Sequence, residues 1–496
     1  VSETPPETPV GLLRELVRPV ELDRPTGGTM ASRGAWGLLG TASQGGLRFV
    51  SNLVVGHVVG RAALGIFQGA ISVALLLSLL WPTSIGSAAS KFLAQSRGAG
   101  NHTQTAAVAA HLARRNIQIT LALAVAAAGY WRWHSPGASV LDLVSLAALL
   151  IGYCGYAFTR GVQYGVGQVR RGTLWDAIAS SLGLLSLLVL VLAGVRGLPL
   201  LLALAVSYGL YTVACWPHGA RGTLERSLRR EIDGFITLAA VGTLLSSGFL
   251  QLAMVVARAT TSADDAGLFA AALTLATPAS LLTGSLSLVL FPTMAEAWGR
   301  GNREQFRTQT DLATRGLFSV MIGVFGVIVL CSRLIVDLLW GDAYEGSATV
   351  LPILLTAVCL STLAMSSTNA IMIVGPWGLR VMTAAGVVGV LLGILVWWLT
   401  AGSWGIIGIA VGYLCSNAVI FTVNVGLCWR VWRHRWAGLA LRTALAFAGV
   451  GGLTWVSADK AWGAPQQVLL AAVFLVVWLT ACLPDLRRAL PQRRSA

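Results

Sequence analysis

Runs of apolar residues, each about the length that crosses a bilayer as a helix, follow one another along the chain with short polar breaks between them. Fourteen such runs can be drawn. The first eight are Trp36–Val59, Leu64–Ser87, Ile117–Trp131, Val140–Thr159, Leu174–Ala193, Leu198–Trp216, Gly234–Ala257 and Gly267–Phe291. The remaining six are Leu312–Leu330, Thr349–Val374, Val381–Thr400, Gly405–Cys428, Leu441–Val456 and Val468–Leu483. Within them the apolar character runs all round, as lipid-embedded helices require, and strand-like alternation is missing. The pattern predicts an all-α polytopic membrane protein with about 14 transmembrane helices.

The pattern also repeats. Gly65, Phe67, Ala70, Ala74, Ser78, Leu79 and Leu80 recur as Gly267, Phe269, Ala272, Ala276, Ser280, Leu281 and Leu282. One residue of slippage later, Gly100, Asn101 and Arg114 recur as Gly301, Asn302 and Arg315. Duplicated membrane segments are how many carriers build two lobes that rock about a shared site. The chain divides accordingly into an N-terminal tail (1–33), an N-lobe (34–217), a charged linker (218–233), a C-lobe (234–428), two extra spans (429–483) and a basic tail (484–496). Each lobe holds six spans, an even number, so both start from the same side and the repeat is parallel. Residues 1–30 hold no apolar run long enough for a signal peptide; Gly11 to Pro19 has the look of a short surface helix, with disorder as the alternative. The stretches Lys91–Arg115 and Trp298–Arg315 are expected as long, basic, helix-compatible connections, either amphipathic helices anchored on anionic lipid or coupling elements at an inner gate.

Composition agrees: 55% of the residues are hydrophobic and only 11% charged, far from a soluble chain. The net charge of +15 is topological. With the N-terminus cytoplasmic, 28 basic residues fall on inner segments and six (Arg61, Arg132, Arg196, Arg258, Arg333 and Lys460) on outer ones, leaving Arg48 inside a span. That asymmetry sets the orientation, puts both termini in the cytoplasm and removes the reason to invoke nucleic acid. The seven cysteines form no CxxC pair, and the six histidines have no ligand spacing, so neither metal nor cofactor is expected. Outer loops are short and carry no catalytic constellation, so the chain does not read as an enzyme.

Three stretches carry a resemblance. They are Gly40 and Arg48 with the turn Gly60–Phe67, the turn Gly341–Tyr344–Ala348, and the turn Gly405–Gly408–Ala410. In order, spacing and topology they resemble the multidrug/oligosaccharidyl-lipid/polysaccharide exporter superfamily, in its polysaccharide-exporter flippase branch. Two departures stand out: Gln68 where the family's first turn ends in glycine, and fewer basic residues at Gly375–Arg380. On physical grounds alone, Gly341 and Tyr344 break one helix and let an interfacial aromatic pin the next at headgroup depth, Gly405 with Gly408 allow close helix approach, and both motifs read as packing devices first.

Arg48 lies about 18 Å into the first span at ~1.5 Å per residue. A charge at that depth costs about 2.5–3.5 kcal/mol on insertion scales, so it needs a wet cavity or a partner. Gln44, Ser51 and Asn52 share its helix face, and the matching seventh span offers Ser246, Ser247 and Gln251. Acids are expected only near span ends, with Asp176 near an inner one, so the unmatched cation points to an anionic ligand such as pyrophosphate. The alternative is that Arg48 snorkels or caps carbonyls between helices. Arg258 is a second candidate contact; His57, Asn369 and Asn417 are more ordinarily helix–helix bonding residues, and Pro82, Pro278, Pro292 and Pro352 bend or pack. The resemblance implies a bacterial inner-membrane flippase moving a polyprenyl-pyrophosphate-linked oligosaccharide by alternating access, alongside glycan-assembly proteins. Arg48 would then hold the pyrophosphate, while Gln44, Asn52, Gln251 and Arg258 contact phosphate or sugar. A cation-coupled multidrug exporter of the same superfamily is the alternative, and a membrane glycosyltransferase, a polymerase or a non-transporting envelope scaffold stand further off.

Overall fold

A computed structural model describes residues 20–22, 30–460 and 462–489, and these hold helices and no strand. The surface helix expected at Gly11–Pro19 and the end of the basic tail lie outside them. The first half contains α1 (Met30–Val54), α2 (Arg61–Leu80), α3 (Pro82–Gly98), α4 (His102–His134), α5 (Val140–Gly165), α6 (Val169–Leu192), α7 (Leu201–Ala214) and α8 (Arg226–Thr243). There follow α9 (Phe249–Thr260), α10 (Ala263–Gly299), α11 (Arg303–Leu330), α12 (Ser332–Trp340), α13 (Ser347–Ile373), α14 (Pro376–Val431), α15 (Ala437–Asp459) and α16 (Ala464–Ala489). Among the described residues, eight helices are long and apolar enough to cross a membrane. One of them, 55 residues long, holds two of the expected spans. Its break is Gly405, at φ 51°, a backbone state that only glycine enters without strain. Gly405 is thus the bend itself. Close packing falls to Gly408, where a Cβ would meet Thr400 Oγ1 at 2.6 Å.

The two basic, helix-compatible stretches are helical over most of their length. Helix α3 runs on to Gly98 and α4 starts at His102, so the stretch Lys91–Arg115 is two helix ends and a tight turn. Gly100 sits at φ 69°, Asn101 N–H donates to Ser96 O (3.1 Å), and the Asn101 side chain accepts from Gln104 N–H (3.0 Å). In the second copy Gly301 is at φ 72°, Asn302 N–H donates to Ala297 O (3.1 Å), and Asn302 accepts from Gln305 N–H (2.9 Å). The repeated Gly-Asn is therefore one C-cap glycine followed by one N-cap asparagine, made twice.

The chain forms two compact units, Val1–Val255 and Val256–Ala496. In the first, α5 is the hub and packs on α3, α4 and α7, while α1 lies along α6. Pro82 starts α3 after a break at Trp81, and α8 lays Ile232 and Ile236 into the cluster around Phe92 and Phe158. Val20 and Leu22 are buried in the same cluster.

In the second unit α13 packs on α10, α11 and α14, and α16 packs along α11. Pro352 lies inside α13, whereas the Pro292 side chain lies outside the described residues. Tyr344 is 2% exposed with its ring 4.9 Å from that of Trp340, a packing contact beside the helix break. An aromatic beside a helix break fills the gap left by the missing turn, and here that gap is internal. The turn between α14 and α15 is clasped to α11. Asp311 accepts from Trp436 Nε1 (2.6 Å) and Arg315 Nε (2.9 Å), and Arg315 and Arg307 donate to the carbonyls of Arg435 and Arg433.

His434 stacks on Trp436 at 4.4 Å and 7° inside this clasp. Burial first, then Arg307 and Arg315, push its imidazole down to about 4 against the opposing pull of Asp311. The folded ring is therefore neutral, and the unfolded chain takes up its proton near pH 6.5. Stability from this contact is complete above that value and is lost as pH falls towards 4. The melting temperature of the purified protein is expected to fall between pH 6.5 and 4, and to fall less in His434→Phe. Equal slopes would show that His434 carries none of the pH dependence.

Candidate functional site

Arg48 is placed by α1 in the first unit and meets the faces of α5 and α7. Its Nε donates to Tyr208 Oη at 2.9 Å, and its guanidinium lies 5.4 Å from the centre of the Tyr153 ring. Tyr153 and Tyr156 on α5, and Tyr208 and Tyr211 on α7, are i, i+3 pairs that share a helix face. Their rings touch in sequence: Tyr153–Tyr208 at 5.2 Å, Tyr208–Tyr156 at 5.2 Å and Tyr156–Tyr211 at 4.8 Å. A second cation, Arg160, lies 5.7 Å from the Tyr156 ring of this row. The row offers polarisable faces and hydroxyl groups where a charge would otherwise be bare.

The two arginines differ in their partners. Arg160 donates to Thr41 Oγ1 (2.6 Å) and Tyr164 Oη (3.2 Å) and lies 4.0 Å from the Asp176 carboxylate. Arg48 forms no ion pair among the described residues; its recorded partners are a phenol and a ring face. The cluster therefore holds one compensated and one uncompensated cation.

Asp176, expected near an inner span end, is buried within the first unit. It is 2% exposed and accepts from Gln44 Nε2 at 3.2 Å, one helical turn from Arg48. Helix α6 begins at Val169, before the apolar run does, which carries the carboxylate inside the packed unit. Room for it comes from Gly40, where a Cβ would fall 2.6 Å from Asp176 Oδ2.

The remaining candidates divide. Gln44 and Asn52, expected to touch ligand, each give an amide to a protein partner; Asn52 Nδ2 donates to Gln68 Oε1 at 3.0 Å. Gln68, the residue in place of the family's glycine, is that partner and is itself buried. Gln251 is partly buried in α9 with Oε1 lacking a hydrogen-bond partner among the described residues, and no hydrogen bond there joins it to Arg48. Arg258 belongs to the second unit and is partly buried, its Nε likewise without a partner among the described residues. Sequence reasoning missed the tyrosine row and the Gln68 contact; the two i, i+3 tyrosine pairs were the available signal. Among the described residues no group of His, Cys, Asp and Glu is arranged to hold a metal.

Comparisons place this architecture. The inward-closed conformation of the lipid II flippase MurJ aligns with a TM-score of 0.69 at 10% identity, covering 90% of this chain and 99% of that one. An inward-facing multidrug resistance MATE family transporter of the MOP superfamily aligns at 0.64 and 17% identity, covering 79% and 94%. A MOP superfamily transporter from Pyrococcus furiosus aligns at 0.58 and 17% identity, covering 81% and 94%. No curated protein matches by sequence. The family model described as polysaccharide biosynthesis protein matches residues 32–298, more than half of the chain. The chain has the fold of these MOP superfamily structures, and it belongs to the polysaccharide biosynthesis protein family.

Proposed function

We propose that this protein is a flippase for a polyprenyl-pyrophosphate-linked oligosaccharide, working by alternating access in the bacterial inner membrane with both termini cytoplasmic. The observation that carries the reading is Arg48, a cation inside the first unit whose partners are a tyrosine hydroxyl and a tyrosine ring. A cation held this way keeps its full charge, and its neutral partners leave it an anion to find; pyrophosphate matches the flat guanidinium with paired oxygens. Gln44 and Asn52 set the face of α1 through Asp176 and Gln68, and Gln251 and Arg258 stand as further contacts to phosphate or sugar. Moving a negative headgroup outward is favoured by an inside-negative potential, about 2.3 kcal/mol per charge per 100 mV.

The buried Asp176 favours the second reading, a cation-coupled drug exporter, because such a carrier uses an interior carboxylate. Against it, Asp176 is already engaged by Gln44 and Arg160. Binding to the purified protein separates the two. Saturable binding of an undecaprenyl-pyrophosphate-linked glycan, without binding of a lipophilic cation such as ethidium, is the expected result. The reverse pattern would overturn the flippase reading.

A further inference from the structure

Within the second unit a cavity of about 280 Å3 opens among α11, α13, α14 and α15. Phe318, Phe421, Trp436 and Leu439 form much of its wall, and its only hydroxyl side chains are Thr422 and Thr443. A water molecule needs two to four polar partners to be held in such a place, and this wall does not supply them. Hydrocarbon is the chemistry that fits. The cavity is not sealed: Thr422, Ala440 and Ala444 on its wall are exposed. Around them the surface is apolar, with Leu441 and Leu445 each 63% exposed, as on a face turned to lipid tails.

One end of the cavity is charged. Trp429 and Trp436 bound it there, and each is followed or preceded in the chain by an arginine. Arg430, Arg433 and Arg435 are all exposed, and none is in an ion pair among the described residues. The acid of this turn, Asp311, is already engaged by Arg315 and Trp436. An apolar slot that opens sideways, with indoles and three uncompensated arginines at one end, has the layout of a lipid: chain, interface, headgroup.

We infer that this cavity binds one acyl chain of an anionic phospholipid from the surrounding leaflet, with the lipid phosphate on Arg430, Arg433 and Arg435. The inference does not depend on what the protein carries.

The test uses the full-length protein extracted from vesicles of equal phosphatidylglycerol and phosphatidylcholine with matched chains, with retained lipid counted by native mass spectrometry. Phosphatidylglycerol is expected to be retained about fivefold over phosphatidylcholine, and to fall to the same level when all three arginines are changed to glutamine. Filling the slot should expel the lipid. Gly426→Phe does so with room to spare, since a Cβ there meets nothing within 4 Å. Ala444→Phe fills it from the other wall, and thermal melting identifies which variant is folded. Equal retention of the two lipids, or undiminished retention in a folded, filled variant, overturns the inference. So does displacement of phosphatidylglycerol by equimolar undecaprenyl phosphate, which would give the slot to a polyprenyl chain instead.

Discussion

Arg48→Ala is expected to weaken binding of an undecaprenyl-pyrophosphate-linked glycan at least tenfold, which is about 1.4 kcal/mol, while leaving the protein folded. The fold should survive because Arg48 completes no ion pair: its loss strands no carboxylate, only a tyrosine hydroxyl within an aromatic row. A charge-assisted bond to a phosphate oxygen is worth about 1.5–3 kcal/mol, so losing it should dominate. Arg48→Lys makes the sharper comparison. Lysine keeps the charge but has neither the Nε donor that holds Tyr208 nor the planar fork, so affinity should fall between wild type and alanine. Equilibrium binding to the purified proteins, with melting temperatures beside them, decides it. Equal affinity in all three would remove Arg48 from the site.

Asp176→Ala should act on stability. Asp176 is 2% exposed and stands between Gln44 and the partly buried Arg160. Removing one member of a buried pair leaves the other charge without its counter-charge, a loss of about 3–5 kcal/mol. Asp176→Asn keeps an acceptor for Gln44 and should lose less. Replacing both partners, Asp176→Leu with Arg160→Met, should recover much of the loss, because no buried charge then remains. Unfolding of the purified variants in detergent checks the order alanine, asparagine, double variant. An alanine variant as stable as wild type would show that solvent reaches Arg160.

These two residues also show how far the sequence could be read. Arg48 is visible because a lone arginine inside an apolar run violates the pattern around it. Asp176 violates nothing: it follows Arg170 and Arg171 at the start of a run, where charges are ordinary. What takes it inside is a missing side chain on another helix, Gly40, and no periodicity records a space 136 residues away in the chain, the distance from 40 to 176. Asn52 donates to Gln68 in the next helix, a partner that shows in the sequence only as an odd residue in a glycine's place. The succession of spans needed nothing but hydropathy, since lipid imposes it on every helix alike. Contacts between helices follow from shape, which composition does not encode. Tyr344 is a case: its residue type does not announce the contact its ring makes with Trp340 beside the helix break.

The duplicated turns at Gly100–Asn101 and Gly301–Asn302 bear on how the chain is made. Every hydrogen bond that closes them spans five residues or fewer. Such bonds form on the timescale of a single helix and ask nothing of distant segments. As the polypeptide emerges, α3 and α4 can fold back on each other while the second copy is still being synthesised, and α10 and α11 can do the same without waiting for the first. Each half of the gene thus brings its own instruction for a helical hairpin, and a fusion of two ancestral copies would have inherited insertion competence twice over.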